Sequence, residues 1–134
     1  MAKILIAEDD ALVGRMYENA FTLSGHDVVL ASNGEEALEK LKTMAPKPDI
    51  ILLDMMMPNL SGLDVTEKIK SEEGWKSFAE IPIMLITNLP KLTIAKDVEK
   101  AMSLGAVEYF LKSTHDPIEL VREAEGIIAK RRGK

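Results

Sequence analysis

The chain has no cysteine, which excludes disulfides, thiolate metal centres and a cysteine nucleophile and fits a reducing, cytoplasmic compartment. Its two histidines, His26 and His115, have no partner at ligand spacing, so a histidine metal site is also excluded and both are read as surface residues. No apolar run approaches the ~20 residues needed to cross a bilayer. The opening MAKILIAEDD lacks the charged segment, apolar stretch and small-residue cleavage site of an export signal, so no membrane insertion is expected. Basic residues are not in surplus. With 17 of them against 22 acidic ones the formal charge is −5, which argues against direct DNA binding. The closing KRRGK is the one basic cluster and reads as a solvated helix end, with docking to an acidic partner as the alternative.

What is present is enough for one core. The 134 residues, 46% hydrophobic and 29% charged, fit a single domain spanning 1–134. Short runs rich in Ile, Val and Leu recur at KILIA (3–7), DVVLA (27–31), DIILLD (49–54), IPIMLIT (81–87) and VEYFLK (107–112), each separated by a longer amphipathic stretch. That is a strand and a helix repeated five times. Runs such as IILL lack polar alternation, as strands of a parallel sheet do when helices cover both faces. The expected fold is α/β: a flavodoxin-like, doubly wound five-stranded parallel sheet of order 2-1-3-4-5, with five helices in a three-layer α/β/α arrangement. Helix punctuation agrees. Asn33 has an acid three residues on, Gly25 and Gly105 sit at C-terminal cap positions, and Pro117 suits the first turn of a last helix over 117–131.

In a parallel sheet the strand C-termini gather on one edge, and ligands bind there where the strand order reverses. The five strand ends offer Glu8, Asp9 and Asp10 after the first, Asp54 after the third, Thr87 after the fourth and Lys112 after the fifth. In the order 2-1-3-4-5 the reversal lies between the first and third strands, so Glu8, Asp9 and Asp54 converge. Crowded carboxylates repel one another unless a cation joins them. Mg²⁺ suits one or two carboxylates plus waters and phosphate oxygens better than Ca²⁺, which wants six to eight oxygens, and no EF-hand loop is present. Mn²⁺ is the alternative ion. Lys112 adds a mobile positive charge and Thr87 a hydroxyl, both apt for phosphoryl oxygens on a strand-end carboxylate. The set describes an acyl-phosphate site. Asp10 reads as the cap of the first helix, and Met55 and Met57 as core filling. Trp75 reads as an anchor of its extended loop to the body of the domain.

The segments ILIAEDD, LLDMMMPNLSG, IMLIT and GAVEYFLK, in this order and over essentially the whole chain, resemble the receiver domains of two-component response regulators. Most specific are Asp54 followed by Pro58 and Gly62, and the Glu8-Asp9 pair upstream. The resemblance implies that Asp54 is the phosphoacceptor and that Asp9 binds Mg²⁺ directly, Glu8 through water and Met56 through its backbone carbonyl. It implies that Thr87 is the switch hydroxyl, Lys112 the phosphate-binding lysine and Tyr109 the aromatic that changes rotamer on activation. The implied phosphodonor is a histidine kinase or a histidine phosphotransfer protein. The implied output is a contact of the face made by the fourth helix, fifth strand and fifth helix with a downstream protein or with a second copy, as a phosphorylation-dependent homodimer.

The chain departs from the family pattern in four places. Asn88 stands where a small residue is usual, narrowing access, and Ser113 stands where proline is usual, so a trans Lys112-Ser113 bond is expected. The stretches NLPKLTIAKDVEKAMSL and SEEGWKSFAE are longer than usual. Met56 and Leu89, at positions that flank the attacking water in the family, are apolar, so the resemblance implies slow self-dephosphorylation. Three other readings compete. A phosphohydrolase using Asp54 lacks a second acid, since the position two residues on is Met56. A flavin site would place phosphate against EDD, which repels it. A receiver-like scaffold independent of phosphorylation is disfavoured by the intact Glu8, Asp9, Asp54, Thr87 and Lys112 set.

Overall fold

The five apolar runs form five parallel strands in the computed structural model, which describes residues 2–88, 95–112 and 116–133. In chain order the elements are β1 (Lys3–Ala7), α1 (Ala11–Leu23), β2 (Asp27–Ala31), α2 (Gly34–Thr43), β3 (Ile50–Asp54), α3 (Gly62–Ser71), a 3-10 segment (Glu73–Phe78), β4 (Ile83–Thr87), α4 (Ala95–Leu104), β5 (Glu108–Leu111) and α5 (Pro117–Arg132). The sheet order is β2-β1-β3-β4-β5, as expected from the sequence. Every residue of β3 and β4 is buried, which is why IILLD and IMLIT carry no polar alternation.

Two apolar layers hold the sheet. Tyr17 and Phe21 of α1 and Leu120, Val121, Ala124 and Ile128 of α5 pack with Ile4, Ile6, Ile50, Leu52, Met84 and Ile86 on one face. Leu41 of α2, Val65 and Ile69 of α3, and Val98 and Ala101 of α4 pack with Leu5, Ile51, Leu53, Ile83 and Leu85 on the other. Alternate residues of each strand therefore serve opposite layers.

The helix ends follow their sequence signals. Asp10 caps α1, accepting from the N–H groups of Leu12 and Val13. Gly25 and Gly105 take positive φ of 91° and 116° in the turns after α1 and α4. Asn33 caps α2 by accepting from Glu36 N–H, but the Glu36 carboxylate turns to Ser32, where it accepts from the hydroxyl at 3.0 Å. Asp116 and Glu119 form a full capping box with Pro117 in the first turn of α5. The basic end of α5 is partly engaged, since Arg132 pairs with Asp49 at 3.0 Å.

His26 is not the surface residue its turn position suggests. Its side chain is only 9% exposed, because Nδ1 accepts from Ala2 N–H at 3.0 Å and Nε2 lies 2.7 Å from Glu125 of α5. The extended stretch before β4 becomes the 3-10 segment, anchored as expected by buried Trp75. That ring packs against Phe78 at 5.6 Å and beneath the Lys42 ammonium at 4.9 Å. Lys70 closes the segment by donating to Ala79 O and Ile81 O. Leu89, Ser113 with its bond to Lys112, His115 and the start of the long stretch before α4 lie outside the described residues.

Candidate functional site

The site residues stand where the ladders end. Ala7 of β1 pairs with Ala31 and Leu53, and Glu8 carries the ladder one step further by donating its N–H to Ala31 O at 3.0 Å. Asp54 is the last residue of β3, opposite Ile86. Thr87 ends β4 and accepts at its backbone oxygen from Lys112 N–H at 2.7 Å, which places Lys112 just beyond the end of β5. These endings bring three carboxylates together: one ligand oxygen each of Glu8, Asp9 and Asp54 lie within 4.8 Å of one another.

Glu8 and Asp54 are buried while Asp9 is exposed. Lys112 bridges the buried pair, donating from Nζ to Glu8 Oε1 at 2.8 Å and to Asp54 Oδ2 at 3.1 Å, with its own side chain only 8% exposed. The second oxygens are also engaged. Glu8 Oε2 accepts from Asp10 N–H at 3.1 Å, and Asp54 Oδ1 from Met56 N–H at 3.0 Å. Glu8, Asp9, Asp10, Asp54, Met56, Asn88 and Lys112 line a cleft of about 310 Å³. Met56 is exposed at its rim, and its methionine neighbours Met55 and Met57 are buried in the core.

Burial is the chief cause that pushes the Glu8 carboxyl up to about 7, followed by its contact with Asp54, and Lys112 only partly offsets them. Burial alone would pull the Lys112 amine down, but the hydrogen bond to Glu8 and the charges of Asp54 and Glu8 outweigh it and hold the amine above its ordinary range. Two buried carboxylates with one ammonium remain short of positive charge.

Gly62 is needed for close approach. A Cβ there would stand 2.5 Å from Asp54 O, so any side chain would push α3 off the end of β3. Thr87 is fully buried, and in register it shares a sheet face with Leu85, whose partner across β5 is Tyr109. Tyr109 is half-buried against the layer that contains α4. Thr87 and Tyr109 thus occupy one face of the sheet, Tyr109 one side-chain repeat back from the strand end, and Glu8, Asp9, Asp54 and Lys112 form the contiguous cluster. The sequence pattern did not single out Tyr17, a phenol on the buried face of α1.

The family model for the response regulator receiver domain matches residues 4–125. The chain belongs to that family. This receiver domain is 31% identical over 128 residues to a probable transcriptional regulator, ycf27, of Porphyridium aerugineum, covering 96% of this chain and 48% of that protein. It is 35% identical over 114 residues to the alkaline phosphatase synthesis transcriptional regulatory protein PhoP of Bacillus subtilis, covering 82% of this chain and 42% of that one. The receiver spans about half the length of these curated relatives, or less. A response regulator receiver domain protein from Clostridium thermocellum superposes with a TM-score of 0.82 at 25% identity, covering 98% of each chain. No helix among the described residues of this signalling domain is long and apolar enough to cross a membrane.

Proposed function

We propose that Asp54 accepts a phosphoryl group from a phosphohistidine donor, a histidine kinase or a histidine phosphotransfer protein, and that the chain signals by changing its surface. The observation that carries this reading is the cluster of three carboxylates within 4.8 Å, two of them bridged by one buried lysine. Both oxygens of Asp54 are hydrogen-bonded, Oδ1 to the Met56 N–H and Oδ2 to Lys112 Nζ, and one of them attacks the phosphorus. An oxygen–phosphorus bond forms as the donor's phosphorus–nitrogen bond breaks, and the imidazole leaves with the electron pair.

The donor set fits a hard divalent cation: three carboxylates with no sulfur or nitrogen, one of them open to solvent. Asp9, Asp54 and the Met56 carbonyl would hold Mg²⁺, or Mn²⁺, with Glu8 acting through water. When bound, the ion offsets charge on the carboxylates and phosphoryl oxygens. Lys112 reaches the phosphoryl group as a charged donor and Thr87 as a hydroxyl donor, and Tyr109 turns as Thr87 moves.

The donor's landing surface lies beside the cleft. Leu12, Met16 and Leu23 of α1 are 81%, 50% and 89% exposed and fall within about 40° of one another around the helix. The stripe starts two residues after Asp10, which lines the cleft. The formal charge of −5 disfavours direct DNA contact, and the output is a protein contact, with a downstream target or a second copy.

Beryllofluoride, a phosphoryl mimic, tests the site directly. With Mg²⁺ it should shift the amide resonances of Asp54, Met56 and Lys112 in the wild type, and neither with excess chelator nor in Asp54→Asn. Equal shifts without a divalent ion contradict the reading.

A further inference from the structure

Tyr17 is buried at 3% exposure on the face of α1 that packs against the sheet. One turn before it, α1 comes so close to Glu8 that a Cβ at Gly14 would stand 3.6 Å from Glu8 Cγ and 3.2 Å from Leu30 Cδ1. Helical side chains lean toward the helix N-terminus, so a residue at i+3 covers the surface beside position i. The Tyr17 ring therefore rises past Gly14 toward Glu8. Burial and then the negative charges of Glu8 and Asp54 hold its phenol well above the ordinary range, which keeps it protonated and able to donate.

That donor is left to solvent. Buried phenols ordinarily find a hydrogen-bond partner, yet among the described residues the Tyr17 hydroxyl has none. No sealed polar side-chain atom among them lacks a partner, so the phenol oxygen keeps a narrow contact with solvent. Glu8 Oε1, by contrast, depends on Lys112, which also serves Asp54. A phosphoryl dianion on Asp54 draws the ammonium toward itself, and a buried carboxylate oxygen then loses its donor.

We propose that Tyr17 is a positioning residue of the acceptor site, its hydroxyl replacing Lys112 as a donor to Glu8, directly or through one water, once Asp54 is phosphorylated. This rests on Asp54 being the phosphoacceptor. The gain appears only in the loaded state, which separates it from a packing role.

The test is Tyr17→Phe, which keeps the ring and removes the hydroxyl. Beryllofluoride affinity in Mg²⁺ should fall by about tenfold or more, the range of one hydrogen bond to a charged group, while the metal-free urea midpoint stays unchanged. An affinity equal to the wild type's overturns the proposal. A metal-free stability loss that matches the affinity loss also overturns it, by assigning the hydroxyl to folding. A wild type that binds no beryllofluoride overturns both the acceptor reading and this one, whereas a binding wild type with an indifferent variant overturns only the role of Tyr17.

Discussion

Among the described residues Lys112 alone balances two buried carboxylates, and the imbalance is visible in Glu8, whose carboxyl is pushed up to about 7. A carboxyl whose folded pKa lies above its ordinary 4.5 binds more protons folded than unfolded between those values. Stability from this group is therefore present at low pH and lost as pH rises from about 4.5 to about 7, the reverse of what salt-bridged carboxylates give. Urea unfolding in the presence of chelator should show the wild type losing stability between pH 5 and pH 7.5, and Glu8→Gln losing less. Identical losses in the two proteins would remove Glu8 as the cause. The same lack of positive charge is what a divalent cation would relieve.

At the scale of elements, the strands were legible because full burial erases polar alternation, and the caps because Asp10, Asn33 and Asp116 are residue types that satisfy free N–H groups. The acidic cluster was legible for a related reason: a parallel sheet sends every strand end to one edge, so Glu8, Asp9 and Asp54 could be placed together from strand order, whereas Lys112, after the edge strand, reaches them through its long side chain. His26 was not legible, since both its partners, Ala2 N–H and Glu125, come from elements distant in the chain and leave no local pattern. Tyr17 was hidden for the opposite reason, as its apolar ring satisfies the helical periodicity and masks the hydroxyl. The 3-10 segment after α3 shows what local pattern can miss in form while still catching in role. Trp75 was read as an anchor, and it is one: it sits in the core, capped by Phe78 and Lys42. Trp75→Ala should lower stability by about 3–5 kcal/mol, as loss of a buried aromatic typically does, measured by chemical denaturation with a secondary-structure probe. A loss below about 1 kcal/mol would mean that the segment folds independently of that anchor.

For the molecule as a whole, the site and the proposed output face meet across one sheet layer. Thr87 closes β4 beside Asp54, and Tyr109 lies on the same face of the sheet, against the layer that includes Val98 and Ala101 of α4. A shift of Thr87 toward a phosphoryl group has its first consequences there. Two conformations separated by a few kcal/mol suffice, with phosphorylation biasing a form already sampled. Beryllofluoride with Mg²⁺ should therefore shift amide resonances across residues 95–112 as well as at the site, and Tyr109→Ala should shrink the changes in α4. Changes confined to the cleft would break the link between acceptor and output.

The central claim is that Asp54 is the phosphoacceptor, and transfer from a labelled phosphohistidine donor measures it most directly. With Mg²⁺ the wild type should take up close to one label per chain, lose that labelling with excess chelator, and take up none when Asp54 is replaced by Asn. Equal labelling of wild type and Asp54→Asn, or full labelling without a divalent ion, would contradict the account.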